Sequence, residues 1–205
     1  MSSTNGHSGK TKPLHEQTDE ELIAEFQRDN EAAFTLLVER YKNRLTNFTF
    51  RYVGDWDECN DVVQETFVRV FRSRHSYKPV AKFSTWLYTI ATNLAKTRLR
   101  RRRIRRFVSL SSSHPDEPEP LFDIPDEDAR ADRLLESSMK EERIQKALAS
   151  LSDKYREVIV LRDVQELSYE EIASISGLNI GTVKSRINRG RIQLQEMLKD
   201  LWDDR

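Results

Sequence analysis

Residues 167–191 read LSYEEIASISGLNIGTVKSRINRGR. Ser168-Tyr-Glu-Glu171 is a capping box: the hydroxyl accepts a bond from a backbone N–H three residues on, and Glu171 reaches back. A short helix follows, with Ile172, Ala173 and Ile175 on its apolar side. Ser176-Gly-Leu-Asn179 is a turn. A last helix then runs from about Gly181 to Leu201, and Ile187, at the helical interval from Val183, points to the core. Lys184, Ser185, Arg186, Asn188 and Arg189 lie off that stripe. A short helix, a Gly-containing turn and a basic second helix make a helix-turn-helix pattern. The N-terminal part of such a second helix enters the DNA major groove. Arg pairs with guanine and Asn with adenine, while Lys and Ser suit phosphates. The plainer alternative is an ordinary bundle with one basic helix.

Working outward, the same unit begins near Leu134. Ile144, Ala147, Leu148 and Leu151 suit one amphipathic helix. Ser152 is placed to cap another, with Tyr155, Val158, Ile159 and Leu161 inward. Residues 107–133 differ: Pro115, Pro118, Pro120 and Pro125 stand among many acids. That stretch cannot hold a helix over most of its length and reads as a linker, with Leu121, Phe122 and Ile124 as its candidate anchoring points.

The N-terminal half repeats the helical logic. Residues 1–17 are polar and aperiodic, a tail. Thr18-Asp-Glu-Glu21 is a second capping box, followed by Leu22, Ile23 and Phe26. A longer helix spans about Glu31–Tyr52 with Phe34, Leu37, Val38, Tyr41, Leu45 and Phe48 at helical spacing. Gly54 and Asp55 break it. A third helix covers Asp61–Arg72 with Val63, Phe67, Val70 and Phe71 on one side. Pro79 marks a loop at about 75–82. A fourth helix runs from about Ser84 past Arg100, with Trp86, Leu87, Ile90, Ala91 and Leu94 inward. No strand pattern and no internal repeat are visible. The expected fold is all-α: a four-helix domain at 18–106 and a helix-turn-helix domain at 134–205, joined by an acidic, Pro-rich flexible linker at 107–133.

The chain has 205 residues and zero formal net charge. The zero hides a segregation. Residues 19–65 hold 12 acids and 5 bases; residues 66–115 hold 13 bases and no acid; residues 116–142 hold 11 acids and 3 bases. Such separation gives one surface for a polyanion and acidic segments for something else. No apolar run is long enough to span a membrane. The opening MSSTNGHSGKTKP has no apolar core, so no secretory signal is expected and the cytoplasm is the expected compartment. Cys59, the single cysteine, excludes an internal disulfide and a two-cysteine metal site. His7, His15, His75 and His114 form no ligand pair, and six scattered glycines form no phosphate loop. No catalytic residue, metal or cofactor is therefore expected. From Phe83 to Arg106, aromatic residues precede the basic tract Arg98-Leu-Arg-Arg-Arg-Arg-Ile-Arg-Arg106. Rings that stack on unpaired bases and arginines that track phosphates are the ingredients of single-strand binding.

Four stretches carry a resemblance: Asp61-Val-Val-Gln-Glu-Thr-Phe67, Phe83-Ser-Thr-Trp-Leu-Tyr-Thr-Ile-Ala-Thr-Asn93, Leu167-Ser-Tyr-Glu-Glu-Ile-Ala173 and Gly181-Thr-Val-Lys-Ser-Arg186. In this order, flanking an acidic linker, they resemble a bacterial RNA polymerase sigma factor of the sigma-70 family, extracytoplasmic-function (ECF) type. The resemblance makes residues 20–106 region 2 and residues 134–202 region 4. It implies that the chain binds core RNA polymerase through the β′ clamp helices and the β flap, with Asp61, Val62, Gln64, Glu65, Phe67 and Arg69 on the docking segment. It implies −10 promoter contacts by Tyr77, Lys78, Lys82, Trp86, Tyr88, Thr89, Asn93, Lys96 and Arg100. A flipped base would meet Tyr77 and Asn93. The −35 element would be read by Thr182, Lys184, Ser185, Arg186, Asn188 and Arg189. The linker would thread toward the RNA exit path, and an anti-sigma factor is an implied partner. The role would be promoter recognition and melting, without catalysis or membrane insertion. The competing expectation is a free-standing helix-turn-helix repressor or activator.

Overall fold

The computed structural model describes residues 12–111 and 131–199, with side chains within 12–105 and 139–199. Among the described residues, eight α-helices and short 3₁₀ and π turns build the fold, with no strand. Residues 1–11 of the tail expected at 1–17 and the linker residues Leu121, Phe122 and Ile124 lie outside the described residues, while Leu14–Glu16, within that expected tail, form a 3₁₀ turn.

Helix α1 (Asp19–Gln27) starts at the expected capping box: Glu21 N donates to Thr18 Oγ1 at 3.2 Å, and Thr18 N donates to Glu21 Oε2 at 2.8 Å. Helix α2 (Glu31–Val53) buries Ala33, Leu37, Tyr41, Leu45, Phe48 and Tyr52, one face at three- and four-residue spacing. It ends at Gly54, whose φ of 76° is the left-handed cap conformation that glycine adopts without strain. Asp55 then accepts from Glu58 N at 2.9 Å and caps α3 (Trp56–Arg72). Break and cap follow each other directly, so α3 starts five residues before Asp61, the expected first residue.

Helix α4 (Phe83–Ser111) starts with help from α1: Phe83 N donates to Glu20 Oε1 at 2.9 Å. It continues past Arg106 to Ser111, beyond the expected linker boundary. Phe83, Leu87, Tyr88, Ala91 and Ala95 are buried against α1–α3 and the second unit.

The second unit comprises α5 (Ala131–Ser150), α6 (Asp153–Ile159), a π turn at Val160–Val164, α7 (Tyr169–Ser176) and α8 (Ile180–Met197). Ser152 sits at the N-cap of α6 but makes no capping bond through its side chain. Ile144, expected inward, is 38% exposed, because the α5 stripe toward the core runs through Gln145, Ala147 and Leu148. No helix among the described residues is long and apolar enough to cross a membrane.

The two units do not stand apart. The buried cluster is continuous from Leu22 to Ile187: α4 packs on α7, and the C-terminal end of α2 packs on α5 and the π turn.

Candidate nucleic-acid interface

Helix α8 carries the residues expected to read the −35 element. Gly177 (φ 67°) turns the chain, and Asn179 Oδ1 accepts from Thr182 N at 2.7 Å to cap the helix. Val183 and Ile187 are buried. Lys184, Ser185, Asn188 and Arg189 are exposed; Thr182 and Arg186 are half-buried. Gly190 sets how closely α8 approaches α6: a Cβ there would lie 2.8 Å from Ile159 Cγ1. Arg191 is committed to Asp163 of the π turn, with Nε 3.1 Å from Oδ2. Arg189, together with Lys154, holds the pKa of the neighbouring Tyr155 below the ordinary tyrosine value.

A second surface lies between α3 and α4. An open cavity of about 360 Å³ is lined by Arg69, Arg72, Ser73, Trp86, Ile90 and Asn93. Asn93 is exposed at its mouth and Trp86 half-buried in its wall. Trp86 and Asn93, both expected to contact the −10 element, here meet Arg69, which was expected on the polymerase-docking segment. Arg72, Ser73 and Ile90 went unnoticed as candidates, although their three- and four-residue intervals to Arg69, Trp86 and Asn93 put them on the same helix faces.

Tyr77 does not line that cavity. Its ring packs against Phe83 and Trp86, at centroid distances of 6.1 and 5.4 Å, and its hydroxyl donates to Ala81 O at 2.8 Å. Only 6% of it is exposed, so the open π-face expected of it is covered here. Gln27 Nε2 pins the same loop through Arg74 O (2.7 Å) and Tyr77 O (3.1 Å). Lys78 is exposed and Thr89 half-buried.

Three further −10 candidates, Tyr88, Lys96 and Lys82, face the second unit. Tyr88 is fully buried and donates its hydroxyl to Gln165 Oε1; burial pushes its pKa up to about 12. Lys96 pairs with Glu157 at 2.8 Å, and Lys82 with Glu171 at 2.9 Å. The basic tract is partly neutralised as well: Arg98 pairs with Asp61 (3.2 Å), Arg105 with Glu58 (3.2 Å) and Arg103 with Asp153 (2.9 Å). Arg100 and Arg101 are exposed.

On α3, Asp61 and Gln64 are exposed, and Glu65 is half-exposed and bonded to Arg69 at 2.9 Å. Val62 is buried at 1% exposure and serves the core, not a partner surface. Phe67, expected to be buried, is only half-buried. It lines an apolar groove of about 400 Å³ with Phe34, Val38, Gln64, Val68 and Phe71.

Two segments of the chain match known family models. Residues 37–105 match the sigma-70 region 2 model and residues 141–194 the sigma-70 region 4 model. The chain is 34% identical over 179 residues to the ECF RNA polymerase sigma factor SigW of Bacillus subtilis, covering 87% of this chain and 96% of that protein. This chain belongs to the ECF sigma factors of the sigma-70 family. It is also 39% identical over 162 residues to SigE of Mycolicibacterium smegmatis, covering 79% of this chain and 60% of that longer protein. Among solved structures, this sigma factor is similar to CnrH in complex with the cytosolic domain of CnrY (TM-score 0.65, 28% identity, 89% of this chain and 97% of that one). It is equally similar to RpoE of Bartonella quintana in complex with the anti-sigma factor NepR (TM-score 0.65, 29% identity, 81% and 96%). Region 2 thus spans α2–α4, and region 4 spans α5–α8 with the helix-turn-helix formed by α7 and α8.

Proposed function

We propose that this sigma factor binds core RNA polymerase, sets region 4 on duplex −35 DNA and captures an unpaired −10 base in the cavity between α3 and α4. The observation that carries this reading is the convergence of Trp86, Ile90, Asn93, Arg69 and Arg72 on one open cavity. Trp86 and Ile90 supply apolar walls for a base, Asn93 a donor and an acceptor for its edge, and the two guanidinium groups a seat for phosphates. Capture shifts the closed-to-open promoter equilibrium because only melted DNA offers a base to the cavity. Unstacking a base costs a few kcal/mol, and stacking returns about 1–3 kcal/mol, so recognition and melting are nearly balanced. The protein acts by binding alone, in the cytoplasm, and leaves the chemistry to the polymerase.

The groove of Phe34, Val38, Phe67, Val68 and Phe71, flanked by Asp61 and Gln64, is the surface offered to the β′ clamp helices. An anti-sigma partner, suggested by the complexes of CnrH and RpoE, would exclude polymerase by covering the same groove. The test is gel filtration with core polymerase, followed by a gel shift on promoter DNA with and without core. Co-elution and a core-dependent shift are expected. A specific shift on duplex DNA with the chain alone, and no co-elution, would instead support the free-standing repressor or activator.

A further inference from the structure

We propose that Gln27, the last residue of α1, is a positioning residue for base capture: through two loop carbonyls it fixes both walls of the α3–α4 cavity, and so sets how sharply that cavity discriminates among −10 bases. The inference rests on the reading of this cavity as the seat of an unpaired base. Helix α1 lies ahead of residues 37–105, the segment that matches the region 2 model.

Gln27 reaches the two sides of the cavity at once. Its amide nitrogen donates to Arg74 O at 2.7 Å and to Tyr77 O at 3.1 Å. Arg74 follows Ser73, which lines the cavity from the end of α3. Ser73 is tied into the same turn, because its carbonyl oxygen accepts from Ser76 N at 2.8 Å and from Ser76 Oγ at 2.7 Å. Tyr77 packs its ring on Trp86, which lines the cavity from α4, with centroids 5.4 Å apart. One amide with two N–H groups therefore sets the spacing between the Ser73 side and the Trp86 side.

The rest of α1 and the turn after it hold the same loop. Asp29 stands at φ 68°, a left-handed conformation that aspartate adopts more readily than most residues with a side chain. There its Oδ1 accepts from Arg74 Nη2 at 2.7 Å. The Arg74 guanidinium lies over the rings of Phe26 and Phe71, 5.2 and 5.6 Å from their centroids. Glu20 accepts from Phe83 N at the far end of the loop. The loop is thus held at its start by Gln27 and Asp29 and at its end by Glu20. Irregular backbone needs partners for its carbonyls, and water can supply them on an exposed loop. What water cannot supply is a fixed distance between two of those carbonyls.

The consequence falls on selectivity. A binding site discriminates only as far as its side chains are locked by their neighbours. The base must meet the Trp86 wall and the Asn93 amide in one geometry, and both line the cavity. Without the Gln27 amide, the Tyr77–Trp86 pair can move relative to Asn93. The cavity remains, but the four bases then fit it more nearly alike. Loss of two hydrogen bonds of ordinary net strength corresponds to about a tenfold change in an equilibrium. That loss falls on the preferred base, the one that uses the fixed geometry.

Two measurements test this, on Gln27→Ala and on Gln27→Glu, which keeps the side-chain shape and removes both donors. The first is run-off transcription with core polymerase on a promoter set in which each −10 position carries each of the four bases in turn. Both variants should lower the ratio between the best and the worst base by about tenfold. A mere loss of folded protein would scale every promoter alike and leave that ratio unmoved. The second needs neither polymerase nor DNA. With Trp56→Phe and Trp202→Phe, Trp86 is the remaining one of the three tryptophans. Its emission should shift to the red, and acrylamide should quench it more strongly, in both Gln27 variants. Should Gln27→Ala lose helicity by circular dichroism, Gln27→Glu carries both measurements. A wild-type base ratio in the Gln27 variants, with Asn93→Ala collapsing it, would overturn the proposal and leave the cavity reading intact. Unchanged Trp86 emission would overturn it as well. A wild-type ratio with Asn93→Ala, beside a shifted Trp86 emission in the Gln27 variants, would refute base capture and leave Gln27 as the residue that positions the cavity walls.

Discussion

Arg156 of region 4 donates from Nη1 to the carbonyl oxygen of Tyr52, 3.0 Å away at the end of α2, across 104 residues of sequence. The same guanidinium serves Ala149 O at 2.8 Å and Leu151 O at 2.9 Å through Nη2. One side chain thus ties the α5–α6 corner together and docks it on region 2. Burial lowers its pKa, while Asp153 opposes that shift. Arg156→Ala should cost about 3 kcal/mol, because it strands buried acceptors. Arg156→Lys should recover only part, since one ammonium cannot reproduce the fork. Urea unfolding of the three proteins checks both values.

Gly190→Ala tests the close approach of α8 to α6. Its Cβ would meet Ile159 Cγ1 at 2.8 Å, so the helices must shift or Ile159 must leave its rotamer. Overpacking of this kind costs about 1–3 kcal/mol. Adding Ile159→Ala should relieve the clash but leave the cost of a truncated core residue. Thermal melts of the single and double variants should therefore be strongly non-additive.

Cys59 is fully buried, with Sγ 3.5 Å from Thr46 O. Burial, assisted by Asp55, pushes its thiol from 9.0 up to about 11. The folded state keeps this proton where the unfolded chain has lost it. The resulting stability is present below about pH 9 and is lost as the pH rises through about 11. Iodoacetamide at pH 8 should modify Cys59 at least about 100-fold more slowly in the native protein than in urea. Equal rates would show that the site is open.

Local signals in the sequence account for most of the helices and few of the contacts between them. Thr18 with Glu21, Ser168 with Glu171 and Val183 with Ile187 all act within one turn, and all stand where their spacing puts them. The α3–α4 cavity was half legible: Trp86 and Asn93 were visible, whereas Arg72 and Ser73 join them only once two helices pack. Tyr88 and Lys96 share a helix with Asn93, yet face Gln165 and Glu157, which lie more than 60 residues away. The arginine tract reads as a bare polycation, but Glu58, Asp61 and Asp153 reach it from other elements. Periodicity reports which face of a helix is apolar; it does not report which distant acid or amide will cover the other face.

The two surfaces proposed to read DNA should fail differently. Arg189→Ala removes an exposed candidate for paired contact to a base and should cost about 1–3 kcal/mol on −35 sites that carry its preferred base. The loss should appear in recruitment of the holoenzyme and not in melting once the complex has formed. Competition gel shifts with −35 variants measure it.

The central claim is tested most directly by permanganate footprinting of unpaired thymines at a promoter, with core polymerase and either wild type or Asn93→Ala. The account predicts that holoenzyme with Asn93→Ala still shifts the promoter fragment but shows a −10 thymine signal reduced by about tenfold or more, equivalent to about 1.4 kcal/mol lost from base capture. A wild-type footprint with Asn93→Ala, or a variant that fails to shift the promoter while Arg189→Ala shifts it and fails to melt it, would contradict the assignment of the α3–α4 cavity to the −10 base.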